Sequence, residues 1–134
     1  MKFGLFILFL LLIKQGSAQN DTTLYRHLDS VTLRRAQIPP MFPGGPQVWP
    51  MYLNGHLKYP RDARKQKIEG TVVLDFTVGL DGRPKDVQVV KPVFLSIDKE
   101  AVRLIENTLW VPAVHEGHNV IYRDRRSIEF HLPS

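Results

Sequence analysis

The alternating pattern between Gly70 and Val78 constrains the fold of this chain most strongly. Every second residue in this stretch is apolar, which predicts a strand with one buried face. The apolar residues are Val72, Leu74, Phe76 and Val78. Gly79-Leu80-Asp81-Gly82 predicts a tight turn, because glycine accepts a positive φ. Lys85 to Val93 then predicts the return strand of an antiparallel hairpin.

A hairpin alone cannot bury a core in water, so other elements must cover it. Ser96 to Thr108 shows helical spacing of apolar residues and predicts an amphipathic helix with Ser96 as its cap. Val120 to Leu132 predicts a final extended segment, in which Ile128, Phe130 and Leu132 alternate with polar residues. These elements predict an α+β two-layer sandwich, with helices packed on a three-stranded antiparallel sheet.

Two shorter helices are predicted upstream of the hairpin. Pro50 suits the first turn of one helix, whose buried side would carry Met51, Leu53 and Leu57. Tyr59-Pro60 opens the second, with Pro60 at its first position and Ala63 as the small residue that packs inward.

The N-terminus predicts export. Lys2 precedes an apolar run of 11 residues, Phe3 to Ile13, and the small residues Gly16-Ser17-Ala18 suit a cleavage site. Eleven helical residues rise only about 16 Å, against roughly 30 Å of hydrocarbon. Residues 1–18 are therefore interpreted as a signal peptide, 19–38 as a leader and 39–134 as one domain. An uncleaved inner-membrane anchor is the alternative.

Removal of the signal peptide changes the charge balance. The 18 basic residues fall to 16 against 13 acidic ones, so the net charge of +5 becomes +3. An exported chain with this ordinary surface charge is not expected to bind nucleic acid. The absence of cysteine excludes disulfides, thiolate metal sites and a lipid-modified N-terminal cysteine.

The sequence offers little sign of catalytic chemistry. His115-Glu116-Gly117-His118 is not the His-Glu-x-x-His zinc motif, and it lies in a predicted loop without a third ligand. Asp75 and Asp86 could face each other across the hairpin, but exposed strand acids are usually surface groups. No enzymatic activity, metal or cofactor is predicted.

A set of motifs in a fixed order resembles a known family. The motifs are Pro40-Met41-Phe42-Pro43-Gly44-Gly45, Leu57-Lys58-Tyr59-Pro60, Ala63, Ile68-Glu69-Gly70-Thr71-Val72, Phe76-Thr77-Val78, Asp81-Gly82, Asp86-Val87, Val90, Asp98-Lys99-Glu100-Ala101, Trp110, Pro112, Gly117 and Phe130. Together they resemble the TonB C-terminal domain, in the version with a Phe-Pro-Gly-Gly segment before the Tyr-Pro helix. The resemblance covers roughly residues 40 to 132.

This resemblance implies a periplasmic binding module of Gram-negative bacteria. Such domains bind the TonB box of outer-membrane transporters, which adds as an extended strand to the edge of the sheet. Full-length transducers relay energy from the ExbB/ExbD motor, which this chain could contact only if its N-terminus is retained. The implied function is a part in energy-dependent outer-membrane transport.

The resemblance also implies where a peptide would dock. The C-terminal strand is the candidate edge, and the segment before Tyr59-Pro60 is the second contact. The partner-binding residues predicted in this way are His56, Leu57, Lys58, Tyr59, Val120, Tyr122, Ser127, Ile128, Glu129, Phe130 and His131.

Two features depart from the family pattern. The segment Gln19 to Ile38 is too short to cross the periplasm, at most about 70 Å when extended. The four consecutive charges Arg123 to Arg126 could bulge the last strand or indicate an acidic partner.

The alternative function is an envelope assembly module that forms a homodimer, or binds another partner, through the same edge strand.

Overall fold

Strand β1, Gly70–Val78, lies at the centre of a three-stranded antiparallel sheet in the computed structural model. Its neighbours are β2, Pro84–Lys91, and β5, Tyr122–Phe130. The structure describes residues 36–134, so the predicted signal peptide and almost all of the leader lie outside the described residues. The predicted α+β sandwich with a three-stranded antiparallel sheet is confirmed.

Three helices and a second small sheet complete the described part of the chain. The helices are α1, Val48–His56; α2, Arg61–Lys65; and α3, Leu95–Glu106. The short strands β3, Ala113–His115, and β4, His118–Val120, pair with each other between α3 and β5. Within residues 36–134, no helix has the length and apolar character needed to cross a membrane.

The core lies between the sheet and the helices. The alternate residues of β1 that were predicted to be buried are fully inaccessible, and α3 covers them. The largest fully buried side chains of β1, α3 and β5 are Val72, Leu74, Phe76, Val78, Ile97, Leu104, Ile105, Ile128 and Phe130. Burial of apolar area stabilises the fold by roughly 25 cal/mol per Å², and it is the main force that orients the strands.

The two outer strands differ in regularity. β5 pairs with β1 over nine consecutive residues, from Gly70↔Phe130 to Val78↔Tyr122, without a register shift. The pairing of β1 with β2 is interrupted twice, and Asp86 in β2 has a φ of +50°. The bulge suggested for the last strand by its four charges is therefore wrong, and the irregularity lies in β2.

The last extended segment is divided into two strands, which corrects the predicted single segment Val120 to Leu132. Val120 belongs to β4 and pairs with Ala113, so it does not lie on the edge of the main sheet. A two-residue turn at Glu116 and Gly117, whose φ values of +50° and +76° suit a hairpin turn, pairs β4 with β3. Ile121 then separates β4 from β5.

Helix α1 begins two residues before Pro50, and its buried side differs from the prediction. Trp49 is buried, whereas Met51 is 69% exposed, so the expected burial of Met51 is wrong. The helix starts after a turn at Gly44 and Gly45, where both φ values are positive and Val48 N–H donates to the Gly45 carbonyl. Trp49 lies on the core side of the helix, against the rings of Phe42 and Trp110.

The starts of α2 and α3 also differ from the prediction. Pro60 is the N-cap of α2 and not its first helical residue. Helix α3 begins at Leu95 with Phe94 as its N-cap, and the Ser96 hydroxyl bonds to Asp62 Oδ1 at 2.7 Å instead of capping the helix. The Asp98 carboxylate accepts a hydrogen bond from Val93 N–H, at 2.8 Å, and so holds the chain before the helix.

Candidate functional site

The outer side of β5 is a free strand edge bordered by a groove. The order of the main sheet ends at β5, and no other strand of residues 36–134 pairs with that side. A groove of about 490 Å³ lies between this edge and helix α1. Its lining residues are Trp49, Pro50, Leu53, Asn54 and Leu57 from α1 and the residue after it, and Ser127, Glu129 and His131 from β5 and its extension.

An aromatic cluster holds α1 beside the sheet. The Phe42 ring lies 5.2 Å from the centroids of both Trp49 and Tyr52, and 5.4 Å from that of Trp110. Tyr52 Oη also donates to the Leu104 carbonyl in α3, at 2.9 Å. The Phe-Pro-Gly-Gly segment thus supplies the ring that joins α1 to the core.

A second set of contacts fixes the turn between α1 and α2. The Lys58 N–H donates to Glu100 Oε1 at 2.8 Å, and Arg103 binds both oxygens of the same carboxylate at 2.6 and 2.7 Å. Arg103 Nη2 also donates to the His56 carbonyl, at 2.9 Å. The chain at residues 56–58 is therefore tied to α3 through Glu100 and Arg103.

The Glu100 carboxylate is nearly buried, yet its charged form is favoured over its protonated form. Burial by itself raises the pKa of this carboxyl, but the hydrogen bonds from Arg103 and Lys58 N–H outweigh it, and the pKa lies below its ordinary value. The ionised carboxylate is therefore part of the folded state.

Only one of the four predicted residues before α2 lines the groove. That residue is Leu57, whereas His56 and Lys58 use backbone groups to bind Arg103 and Glu100. The His56 ring stacks on Tyr52, with centroids 4.4 Å apart. Tyr59 Oη donates to the Ile68 carbonyl, and its ring packs edge-on against Phe130.

The predicted residues of the last strand separate into two sets. Ser127, Glu129 and His131 line the groove, and the Glu129 and His131 side chains bond to each other at 3.1 Å. Ile128 and Phe130 have fully buried side chains, so only their backbones can reach a partner. Tyr122 lies at the far end of β5, opposite Val78, and Val120 lies in β4.

The charged run Arg123 to Arg126 is neutralised within the domain. Arg125 binds both oxygens of Asp75 at 2.6 and 2.9 Å, and Arg126 Nε donates to Asp124 Oδ2 at 2.9 Å. Arg123 bonds to Thr77 and to the backbone carbonyl of Asp86. Arg123 and Arg125 lie on the outer face of the sheet, whereas Asp124 and Arg126 lie on its core side, where Arg126 also contacts the Trp110 ring at 4.8 Å. The acidic partner suggested by the sequence stays a prediction.

Sequence reasoning missed the α1 side of the groove at Trp49, Pro50 and Asn54. Trp49, Leu53 and Leu57 recur every four residues, which is the signal that could have placed them on one side of a helix. Pro50 lies in the first turn of α1 as predicted, but Met51 lies on the exposed side of the helix.

Other polar groups in the described part of the chain form no site. His115 and His118 are register partners across the β3–β4 turn, but no group of three His, Asp or Glu residues within 36–134 could hold a metal ion. Asp75 lies opposite Gln88 in β2 and binds Arg125, so the pairing of Asp75 with Asp86 is wrong.

Comparisons with known proteins agree with this fold. A family model described as the Gram-negative bacterial TonB protein C-terminal matches residues 55–132. The solution structure of the Pseudomonas aeruginosa TonB C-terminal domain is 31% identical, over 57% of this chain and 79% of that one, with a TM-score of 0.50. A Helicobacter pylori TonB C-terminal domain, 24% identical over 69% of this chain and 88% of that one, has a TM-score of 0.51 and supports the fold. No curated protein matches the chain.

Proposed function

Because the chain belongs to the Gram-negative TonB protein C-terminal family, we propose that it binds an extended segment of an outer-membrane transporter, the TonB box. The segment adds as a fourth strand to the free edge of β5. Main-chain hydrogen bonds supply affinity, and side-chain contacts in the groove supply selectivity. The observation that carries this proposal is the outer edge of β5, a strand of regular register that no second strand of residues 36–134 pairs with on that side, beside the groove of about 490 Å³.

The other edge of the sheet is less suited to an added strand. β2 begins at Pro84 and is followed by Pro92, neither of which has an N–H to donate. Its two register shifts and the positive φ of Asp86 make its edge irregular. These are the devices by which proteins protect an edge from pairing. They support β5 as the docking strand.

The proposed domain works outside the cytoplasm. The family belongs to the Gram-negative envelope and acts in TonB-dependent outer-membrane transport. We extend this to a chain exported by residues 1–18, with residues 39–134 as the binding domain in the periplasm. Contact with an ExbB/ExbD motor requires retention of residues 1–18 as an anchor. The binding role proposed for β5 involves no enzymatic step.

A titration of backbone amide shifts tests the proposal. The full chain, labelled with ¹⁵N, is titrated with a peptide from the N-terminal TonB box of an outer-membrane transporter. We expect shifts along Tyr122–Phe130 and the facing side of α1. A matched peptide that is N-methylated at every residue cannot donate strand hydrogen bonds from either edge, so it should bind at least about tenfold more weakly. Equal binding of the two peptides, or no shifts in β5, would contradict the proposal.

The alternative assembly role makes a different prediction. If β5 joins two copies of the chain, sedimentation will show a dimer, and the peptide will compete with dimer formation. A monomer at all concentrations that binds the peptide supports the transporter-binding role.

A further inference from the structure

We propose that the groove selects an extended segment of alternating character, with apolar side chains facing α1 and hydroxyl or cationic side chains facing Glu129. This inference rests on the proposed function, because it assumes that a strand adds to β5. The residues that select the side chains of the bound segment are Trp49, Leu53, Leu57 and Glu129.

The alternation follows from the geometry of strand pairing. Side chains directly opposite each other on neighbouring strands lie on the same face of the sheet. Ligand residues opposite Ile128 and Phe130 would therefore face the core side, where α1 lies. Ligand residues opposite Ser127 and Glu129 would face the outer side of the sheet, where both of these side chains are exposed.

The α1 side of the groove favours apolar ligand side chains. Trp49, Pro50, Leu53 and Leu57 are apolar, and Asn54 is the one polar residue that α1 contributes to the lining. A polar ligand side chain placed here would lose water without gaining enough partners. The groove extends along the strand from Ser127 to His131. Five strand residues span about 14 Å, which allows two inward-facing ligand side chains.

The outer side of the groove disfavours an acidic ligand residue. The Glu129 side chain is 68% exposed, and its neighbour His131 is 66% exposed. Among residues 36–134, no lysine or arginine lines the groove. The nearest arginine of β5 on the same face, Arg125, is already engaged by Asp75. A ligand carboxylate opposite Glu129 would meet a like charge, whereas a lysine or threonine would not.

This local preference opposes the net charge of the protein. The chain carries +5, so long-range attraction alone would favour an acidic peptide. A preference for a cationic peptide therefore cannot arise from net charge, which makes the two explanations separable.

Three blocked heptapeptides test the inference against the full chain at physiological ionic strength. Their sequences are Val-Lys-Val-Lys-Val-Lys-Val, Val-Glu-Val-Glu-Val-Glu-Val and Asn-Lys-Asn-Lys-Asn-Lys-Asn, and amide shifts of β5 report binding. The repeating patterns make the test independent of register. We expect the Val-Lys peptide to bind about threefold to tenfold more tightly than the Val-Glu peptide. The Asn-Lys peptide should bind at least tenfold more weakly than the Val-Lys peptide.

Charge reversal in the protein supplies the second arm. Glu129→Lys should reverse the preference to the Val-Glu peptide, and Glu106→Lys, on the exposed side of α3, should leave it unchanged. Equal binding of the Val-Lys and Val-Glu peptides, with shifts in β5, would overturn the inference and leave strand addition intact. Equal binding of the Asn-Lys and Val-Lys peptides would overturn its apolar part. No β5 shifts with these peptides or with the transporter peptide would overturn both proposals.

Discussion

At the residue scale, Gly82 has no room for a side chain. Its φ is +79°, and a Cβ added there would overlap the backbone carbonyl of Trp110. The same glycine accepts a hydrogen bond from Trp110 N–H through its carbonyl, at 2.8 Å. The turn that connects β1 to β2 therefore packs backbone to backbone against the segment after α3.

We predict that Gly82→Ala lowers the free energy of unfolding by about 3 kcal/mol or more. The left-handed conformation accounts for about 1–2 kcal/mol, and the overlap with Trp110 adds to it. Gly117→Ala is the matched control, because its φ of +76° is similar but no atom lies within 4 Å of the added Cβ. Urea unfolding should show a loss of only about 1 kcal/mol for the control. Equal losses would contradict the role given to Trp110.

Glu100 is the residue whose ionisation matters most for the turn before α2. Its pKa is lower in the folded state than its ordinary value, because Arg103 and Lys58 N–H stabilise the carboxylate more than burial disfavours it. The stabilisation is present above the unfolded pKa, about 4.3, and is lost as the pH falls through the folded pKa. Acid should therefore loosen the contact between the turn and α3.

We predict that Glu100→Gln costs about 1–3 kcal/mol at pH 7, since Arg103 loses a charged partner. The difference between this variant and the parent should shrink as the pH falls below about 4.3. Urea unfolding from pH 7 to pH 3 measures both quantities. Glu106→Gln, on the exposed side of the same helix, is the control and should remain within about 0.5 kcal/mol of the parent. A difference that is constant with pH would contradict this account of Glu100.

At the element scale, the position of α1 depends on rings that are distant in the sequence. Phe42 contacts Trp49, Tyr52 and Trp110, and α1 forms one wall of the groove. We predict that Phe42→Ala costs about 2–3 kcal/mol, because it leaves a cavity beneath the helix. Met51→Ala, at a position 69% exposed on the same helix, should cost less than about 0.5 kcal/mol. Thermal unfolding of the two variants measures the difference, and equal shifts would contradict the proposed anchoring of α1.

The two outer strands should respond differently to a bound peptide. An added strand at β5 would protect its outward-facing amides from hydrogen exchange, whereas the amides of β2 would remain as they are. We predict slower exchange in β5, by at least tenfold at saturating transporter peptide, and no change in β2. Hydrogen–deuterium exchange followed by NMR resolves the two strands. Protection of the β2 amides and not of the β5 amides would contradict docking at β5.

The sequence predicted regular strands better than it predicted contacts between elements. Alternation identified β1 and the buried residues of β5, because burial of one face imposes a period of two. The four-residue spacing of Trp49, Leu53 and Leu57 groups them on one side of a helix, but it does not show that Trp49 packs against the distant ring of Trp110. Likewise, the pairing of Arg125 with Asp75 joins residues 50 positions apart, so the charged run could not be interpreted without the register of β1 and β5.

At the scale of the whole molecule, cleavage of the N-terminus determines whether the domain can transmit force. We predict that the exported protein begins at Gln19, so that the mature chain has no apolar anchor. Mass spectrometry of the intact protein from the periplasmic fraction measures this directly. A mature chain that retains Lys2 to Ile13 would contradict cleavage and favour an inner-membrane protein that contacts a motor.

The central claim is that a partner segment becomes the fourth strand of the sheet at β5. The most direct measurement is the set of nuclear Overhauser effects between an isotope-labelled TonB-box peptide and the full chain. We expect regular cross-strand contacts between peptide backbone protons and those of Ser127–Phe130, together with contacts from alternate peptide side chains to Leu53 and Leu57. Peptide contacts confined to β2, or side-chain contacts without a regular backbone pattern at β5, would contradict it.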